Sequence, residues 1–160
     1  MGYSTDFSGR FTLDKPLRPE HYTYLLRFNL VRHMKRDADK VAQLNDLARV
    51  AVGLPVGLQG CFYVGNWQDD KFYLDDSVID RNGPPIGQPG LWCKWRPTED
   101  HCIEWDGVEK FYDYVQWLVY LIDHFLEPWG YVLNGRVTWQ GDDEEDRGTI
   151  VVVDNVADTE

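Results

Sequence analysis

The sequence predicts one α+β domain spanning residues 1–160, with a mainly antiparallel sheet of about five or six strands and two principal helices packed on it. The length of 160 residues suits a single domain. Short runs of alternating apolar and polar residues, separated by turn-forming residues, are typical of antiparallel strands. The predicted strands and helices do not alternate strictly, which argues against a parallel, doubly wound sheet.

The first third of the chain is predicted to hold one strand and two helices. Thr5–Leu13 has the composition of a strand. Pro19 suits the first position of a helix, and apolar residues then recur at helical spacing over residues 20–36. A shorter helix is predicted over residues 40–50, before glycines and prolines break the pattern.

The middle of the chain predicts short strands around a long loop. Residues 61–65 and 71–75 are predicted as two strands joined by a turn. Residues 75–90 are rich in glycine and proline, and a loop of this length in a small domain is either functional or mobile. Residues 91–97 and 101–105 then predict a β-hairpin.

A long aromatic helix is predicted after the hairpin. It starts at Asp106, which has capping-box spacing to Glu109, and it stops at Pro128 and Gly130. Its main apolar stripe consists of Phe111, Val115, Leu118, Ile122 and Phe125. A second arc consists of Tyr112, Tyr114, Trp117, Val119 and Tyr120. The two together exceed half the circumference, so the second arc is either wrapped by the rest of the chain or in contact with another molecule.

The C-terminal part predicts two strands, residues 131–141 and 148–156, around the acidic turn 142–146. The continuous apolar run of the second strand predicts a central strand buried on both faces. Residues 8–13 and 134–139 share the pattern Gly-Arg-apolar-Thr-apolar. This repeat either marks two neighbouring strands of one sheet or arises by chance.

The charge of the chain is strongly negative. The formal net charge is −11 and the isoelectric point about 4.7. Such a field repels phosphate backbones, so the sequence argues against direct nucleic-acid binding. It favours either solubility or a protein partner with a basic surface.

The cysteines and the N-terminus indicate the cellular setting. We expect Cys61, Cys93 and Cys102 to be small buried hydrophobic residues with reduced thiols. The N-terminus lacks the pattern of a secretory signal, and no apolar stretch is long enough to span a bilayer. The sequence therefore predicts a soluble cytoplasmic protein without membrane association.

No catalytic or metal-binding pattern stands out. The turn 142–146 lacks the spacing of a calcium loop, and we interpret it as a solvated tip. The spacing of Cys93, His101 and Cys102 fits no zinc pattern, and a fourth ligand is missing. No nucleophile–histidine–acid motif is present. We therefore predict no catalytic residue, metal or cofactor, and we do not favour an enzyme.

The aromatic content of 14%, with seven tryptophans, is the remaining unusual feature. It indicates either a tryptophan-rich core with exposed edges or a ligand groove or partner surface. The candidate binding residues are Trp92, Trp95, Trp105, Tyr112, Trp117, Tyr120, Glu104 and Asp106.

Two segments carry a resemblance to a known group of proteins. They are WDGVEKFY, beginning at Trp105, and PWGYVLNG, beginning at Pro128. With the opening MGYSTDFSGRFTLDKPL, these segments resemble a family of small acidic hypothetical proteins from bacteria and bacteriophages. The resemblance implies a bacterial or phage setting and carries no catalytic residue over to this chain.

Three hypotheses of function follow. The first is a non-enzymatic interaction module of a bacterium or phage that binds a basic protein surface, for example as a phage counter-defence protein. The second is a nucleotide- or sugar-binding protein or enzyme, with an aromatic pocket beneath the loop 75–90 and Glu104 or Asp106 as polar anchor. The third is self-association through the wide apolar arc of the aromatic helix.

Overall fold

The computed structural model describes residues 2–65 and 75–160. In chain order the elements are β1 (Thr5–Leu13), α1 (Pro19–Leu30), β2 (Lys35–Arg36), α2 (Ala38–Val41), α3 (Leu47–Ala51), a 3₁₀ turn (Leu58–Gly60), β3 (Val78–Asp80), β4 (Trp95–Pro97), β5 (Cys102–Trp105), α4 (Tyr114–Leu121), a π-helical turn (Ile122–Leu126), β6 (Leu133–Gly141), β7 (Arg147–Val153) and β8 (Val156–Thr159). The predicted α+β class is confirmed, with antiparallel pairing throughout these strands.

Contacts along the chain divide it into two compact units. The sheet unit comprises the residues up to 17 together with 94–160, and the second unit comprises residues 18–93. Each unit has a sheet of its own, with six strands in the first and two in the second. The prediction of a single domain over residues 1–160 stays a prediction.

The six strands of the sheet unit follow the order β4-β5-β1-β6-β7-β8. The longest pairing joins β1 to β6, where Thr5 lies opposite Gly141 and Leu13 opposite Leu133. The prediction that residues 148–156 form a central strand buried on both faces is wrong. β7 alternates instead, with Ile150 and Val152 buried and Val153 exposed, and it pairs with the unpredicted strand β8.

The short repeat in the sequence marks the two central strands of the sheet, as one of its interpretations predicted. In the register of β1 and β6, Gly9 lies opposite Val137, Arg10 opposite Arg136, and Phe11 opposite Gly135. Glycine is required where the two backbones approach most closely. A Cβ atom on Gly135 would lie 2.9 Å from the carbonyl oxygen of Arg10.

The aromatic helix is shorter than predicted, because it begins at Tyr114 and not at Asp106. The capping box predicted from Asp106 and Glu109 is therefore wrong. Asp106 instead accepts a hydrogen bond from the backbone N–H of Val108, at 2.8 Å, and closes a turn. Lys110 and Asp113 then adopt left-handed backbone conformations, with φ of 63° and 56°, which a helix does not allow.

The apolar side of α4 and the π-helical turn packs on the inner face of the sheet. The indole N–H of Trp95 on β4 donates to the backbone carbonyl of Tyr114, at 2.8 Å. The Tyr114 ring also lies 5.8 Å from the ring of Trp139 on β6. The largest fully buried side chains of this core include Phe11, Trp95, Phe111, Trp117, Leu118, Ile122 and Phe125.

In the second unit, α1 starts at Pro19 as predicted but ends at Leu30, six residues before the predicted end. Val31 is extended, with ψ of 145°, and its N–H donates to the carbonyl of Arg27. The chain then continues into β2, which pairs with β3. The stretch 75–90, predicted as irregular throughout, therefore contains a short strand.

The predicted helix over residues 40–50 is divided into α2 and α3. Asp37 begins α2, because its carboxylate accepts from the backbone N–H groups of Asp39 and Lys40. The predicted strand over residues 61–65 is wrong, since Gly57 and Gly60 have φ of 82° and 72° and the chain turns there. The strand predicted over 71–75 and the turn before it fall on residues outside the described part of the chain, apart from Asp75.

The three cysteines are confirmed as buried free thiols. Within the described residues, no helix combines the length and the apolar composition needed to cross a membrane.

One buried histidine of the second unit makes stability depend on pH. His33 is 3% exposed, its ring Nε2 lies 2.9 Å from the carbonyl oxygen of Phe28, and burial lowers its pKa to about 4. Because an unfolded histidine has a pKa of about 6.5, the unfolded chain binds a proton between pH 6.5 and 4 that the folded chain does not. The contribution of neutral His33 to the free energy of unfolding is fully present above pH 6.5 and is lost as the pH falls toward 4.

We expect urea unfolding to show this loss, on the order of 2 kcal/mol between pH 7 and pH 4. The control is His33→Gln, which does not titrate and keeps a side-chain N–H for the carbonyl of Phe28. Its free energy of unfolding is lower at pH 7 but changes less over the same window. An unchanged pH dependence in the variant would contradict the assignment.

Candidate functional site

The two units differ sharply in charge. The sheet unit carries 18 acidic and 7 basic side chains, whereas the second unit carries nine of each. The whole net charge of −11 therefore resides in the sheet unit.

Within the sheet unit, acidic residues gather where β1 begins. The turn 142–146 follows β6 at this end, because Gly141 lies opposite Thr5. The loop 106–113 reaches the same end, because β5 runs antiparallel to β1 and Gly2 lies against Tyr112. We call residues 2–4, 106–113 and 142–146 together the acidic end. It carries eight carboxylates and one lysine.

The N-terminal residues fasten the acidic turn to the sheet. The Tyr3 hydroxyl donates to the carboxylate of Asp146, at 2.6 Å, and accepts from the backbone N–H of Asp143. The backbone N–H of Ser4 donates to the carboxylate of Asp142, at 2.8 Å. The indole N–H of Trp139 also donates to Asp146, at 3.0 Å. The turn is thus fixed by contacts with Tyr3 and Ser4, just before β1, and with Trp139 on β6.

These hydrogen bonds shift two pKa values at the acidic end. The hydrogen bonds from Tyr3 and Trp139 lower the pKa of Asp146, so its carboxylate stays ionised. The hydrogen bond to Asp146 raises the pKa of Tyr3, so its hydroxyl stays protonated. The Asp146 carboxylate therefore contributes a negative charge to the acidic end.

The loop 106–113 is anchored to the sheet unit on one side and exposed to solvent on the other. Phe111 is fully buried, with its ring 5.3 Å from the Trp95 ring. The Lys94 ammonium group donates to the backbone carbonyls of Glu109 and Lys110. Desolvation lowers the pKa of Lys94. The loop therefore presents its remaining side chains on a fixed backbone.

Two side chains of this loop combine apolar surface with exposure. Tyr112 is 52% exposed and Val108 is 53% exposed. Both lie beside the carboxylates of Asp106, Glu109 and Asp113 in the same loop. An exposed tyrosine among charged groups is typical of the residues that contribute most to protein–protein binding.

Three of the predicted binding residues belong to the core. Trp95, Trp117 and Tyr120 are 1%, 0% and 7% exposed. The prediction that they line a groove or partner surface is wrong for this structure, because the rings of Phe7, Phe11 and Phe111 surround Trp95, and Trp117 packs edge-on against Tyr120.

The other predicted residues are dispersed. Glu104 lies on the outer sheet face, where it accepts from Arg10 at 2.6 Å and from Arg96 at 3.0 Å. The hydrogen bond from Arg96 is the main cause that lowers the pKa of Glu104. Trp92 belongs to the second unit, with the Arg32 guanidinium 5.8 Å from its ring centroid. Trp105 donates its indole N–H to the carbonyl of Val108, so it supports the loop.

Only Asp106 and Tyr112, of the predicted residues, therefore lie together at the acidic end. The predicted anchors Glu104 and Asp106 are both engaged within the chain, and Trp95 is too deeply buried to stack a ligand. The aromatic pocket of the second hypothesis thus gains no support from these side chains. Sequence reasoning missed Tyr3, whose contacts with Asp143 and Asp146 depend on the register of β1 and β6.

Over residues 2–65 and 75–160, no group of three or more His, Cys, Asp or Glu side chains is arranged to hold a metal ion. The carboxylates of the acidic end thus form a charged surface and not a chelating cluster.

Comparisons with family models, curated proteins and solved structures found no match to this chain. The resemblance to small acidic proteins of bacteria and phages therefore stays a prediction.

Proposed function

We propose that this protein is a non-enzymatic interaction module that binds a basic surface of a partner protein through its acidic end. One observation carries the proposal: all of the net negative charge belongs to the sheet unit, and eight of its carboxylates belong to the acidic end, which also holds the exposed Tyr112 and Val108. The carboxylates provide long-range attraction, and the tyrosine provides short-range contact area.

The same charges define the class of partner. Eight clustered carboxylates attract lysine- and arginine-rich surfaces and accelerate encounter with them. They repel nucleic acid for the same reason, so direct nucleic-acid binding is not part of the proposal. A second copy of the chain would bring its own carboxylates against them, and this disfavours self-association through the acidic end.

A bacterial or phage setting gives this activity a concrete form. An acidic protein that covers the nucleic-acid-binding surface of a basic protein would block that protein, as a phage counter-defence protein would. The proposal includes a cytoplasmic location, with which the three free thiols are compatible.

Capture experiments at two salt concentrations test the proposal. The immobilised protein is exposed to bacterial lysate at low salt and at about 1 M salt, where the Debye length is about 3 Å. We expect a specific bound protein with a basic surface at low salt, and its release at high salt. A bound protein that is acidic, or whose retention is indifferent to salt, would contradict the electrostatic basis of the proposal.

A further inference from the structure

The last strand, β8, lies at the edge of the six-stranded sheet. Thr149 and Glu160 exchange both backbone hydrogen bonds across the β7–β8 ladder. Because the pairs of an antiparallel ladder alternate, the main-chain groups of Ala157 and Thr159 point away from β7. Within the described residues, no strand pairs with this outer side. β8 therefore presents a short sheet edge.

Side chains on the outer face of this edge have a distinct order. Val156 is 69% exposed, and it lies opposite Val153, which is 58% exposed. Asp158 and Glu160 follow on the same face, at alternate positions of the strand. The edge thus begins with an apolar pair and continues with two carboxylates.

The charge of this strand region is entirely negative. Residues 148–160 contain three acidic residues and no basic one. The Asp158 carboxylate accepts from the backbone N–H of Thr159, at 2.8 Å, and Glu160 pairs with Arg136 on β6, at 2.7 Å. Both carboxylates are exposed, so each can give up its contact within the chain and pair with a basic side chain of another molecule.

We infer that β8 accepts an extended basic segment of the partner protein as an added antiparallel strand. In that pairing, an apolar residue of the segment covers Val156, and lysines lie opposite Asp158 and Glu160. The two residues of the segment that alternate with these three direct their main-chain N–H and C=O groups to Ala157 and Thr159. This inference rests on the proposed function, since it assigns a second contact to the same basic partner.

A basic segment fits this edge better than a second copy of the chain. Antiparallel pairing of two β8 strands would place carboxylates of both copies side by side, which is destabilising. The carboxylates and the shortness of β8 also discourage unspecific edge pairing. Charge therefore selects which strands can add to the sheet.

A synthetic peptide tests the inference. Its core is Lys-Thr-Lys-Thr-Val. When it pairs antiparallel to β8 with its lysines opposite Glu160 and Asp158, the backbone N–H and C=O groups of its two threonines point toward β8. One control peptide is N-methylated at the two threonines, and a second is N-methylated at the two lysines. Both keep the charge and length, but only the first loses N–H groups needed by Ala157 and Thr159. Binding is measured by titration calorimetry, and the amide signal of Ala157 is followed by NMR.

We expect the threonine-methylated peptide to bind about tenfold more weakly than the other two, from the loss of two hydrogen bonds. We also expect Asp158→Asn to weaken binding of the unmodified peptide more than Asp123→Asn, an equal charge change on the exposed side of the π-helical turn.

The outcomes separate this inference from the proposed function. Equal binding of all three peptides, with equal effects of the two charge variants, would overturn edge pairing but leave electrostatic attraction intact. A dimer in solution that pairs through β8, seen as an Ala157 amide protected without any peptide, would also overturn it, in favour of a second copy as the occupant. If neither the peptide nor any basic protein binds at low salt, both the inference and the proposed function fail.

Discussion

Replacing Gly135 by alanine is expected to destabilise the protein by about 4 kcal/mol, a large fraction of the roughly 5–15 kcal/mol that stabilises a folded protein. Gly135 has a φ of 146°, and a Cβ atom there would lie 2.9 Å from both the carbonyl oxygen of Arg10 and the Cα of Phe11. Neither neighbour can move aside, because both belong to the backbone of β1. The measurement is the free energy of unfolding in urea, followed by circular dichroism.

Gly107→Ala is the matched control for this change. Gly107 also belongs to the sheet unit and has a φ of 84°, but a Cβ atom there would meet nothing within 4 Å. Its substitution adds backbone strain alone, which costs about 1 kcal/mol. If the two variants lose equal stability, close approach of β1 and β6 does not explain the need for glycine at position 135.

Replacing Tyr112 by alanine is expected to weaken partner binding about thirtyfold, the effect of a binding hot spot worth about 2 kcal/mol. The ring is 52% exposed, so its removal should leave the melting temperature nearly unchanged. The partner isolated by salt-dependent capture serves as the ligand in a titration.

Tyr112→Phe separates the contribution of the ring from that of the hydroxyl group. If the ring supplies the contact area, the phenylalanine variant retains most of the affinity. An alanine variant that binds as tightly as the unaltered protein would show that Tyr112 lies outside the interface.

The elements predicted well from the sequence are those with local, regular signals. The strand Thr5–Leu13 and the hairpin around residues 98–101 follow from alternation and turn-forming residues. The repeat Gly-Arg-apolar-Thr-apolar correctly marked β1 and β6 as neighbours, because both strands use glycine for the same close approach. The local sequence pattern was sufficient to predict the structure of these elements.

The elements predicted wrongly depend on backbone conformations that composition does not reveal. The residues before α4 have helical spacing of apolar side chains, yet Lys110 and Asp113 are left-handed. The strand β8 was missed because its tight turn, Asp154-Asn155, has φ of 48° and 69° without a glycine to signal it. Such conformations follow from contacts distant in sequence.

The candidate site was predictable only in part. Net charge and surplus aromatics led to the hypothesis of an acidic interaction surface, and two of the candidate residues chosen from the sequence, Asp106 and Tyr112, belong to the acidic end. The position of the acidic turn was not predictable, because only the pairing of β1 with its neighbours brings the turn 142–146 and the loop 106–113 to the same end of the sheet. Nor did the sequence reveal which aromatic residues are buried: Trp117 lies in the core, whereas Tyr112 is half exposed.

The central claim is that negative charge at one end of the sheet, and not net charge in general, binds the partner. Two triple variants with equal charge change test it. The first, Asp143→Asn with Glu144→Gln and Glu145→Gln, neutralises exposed carboxylates of the acidic end. The second, Glu99→Gln with Asp123→Asn and Glu127→Gln, neutralises exposed carboxylates of the sheet unit outside the acidic end.

The decisive measurement is the dissociation constant of each variant for the captured partner at low salt. We expect the first variant to bind at least about tenfold more weakly than the second, with a smaller dependence of affinity on salt. Equal weakening of the two variants would contradict a localised acidic interface and leave only a general effect of net charge.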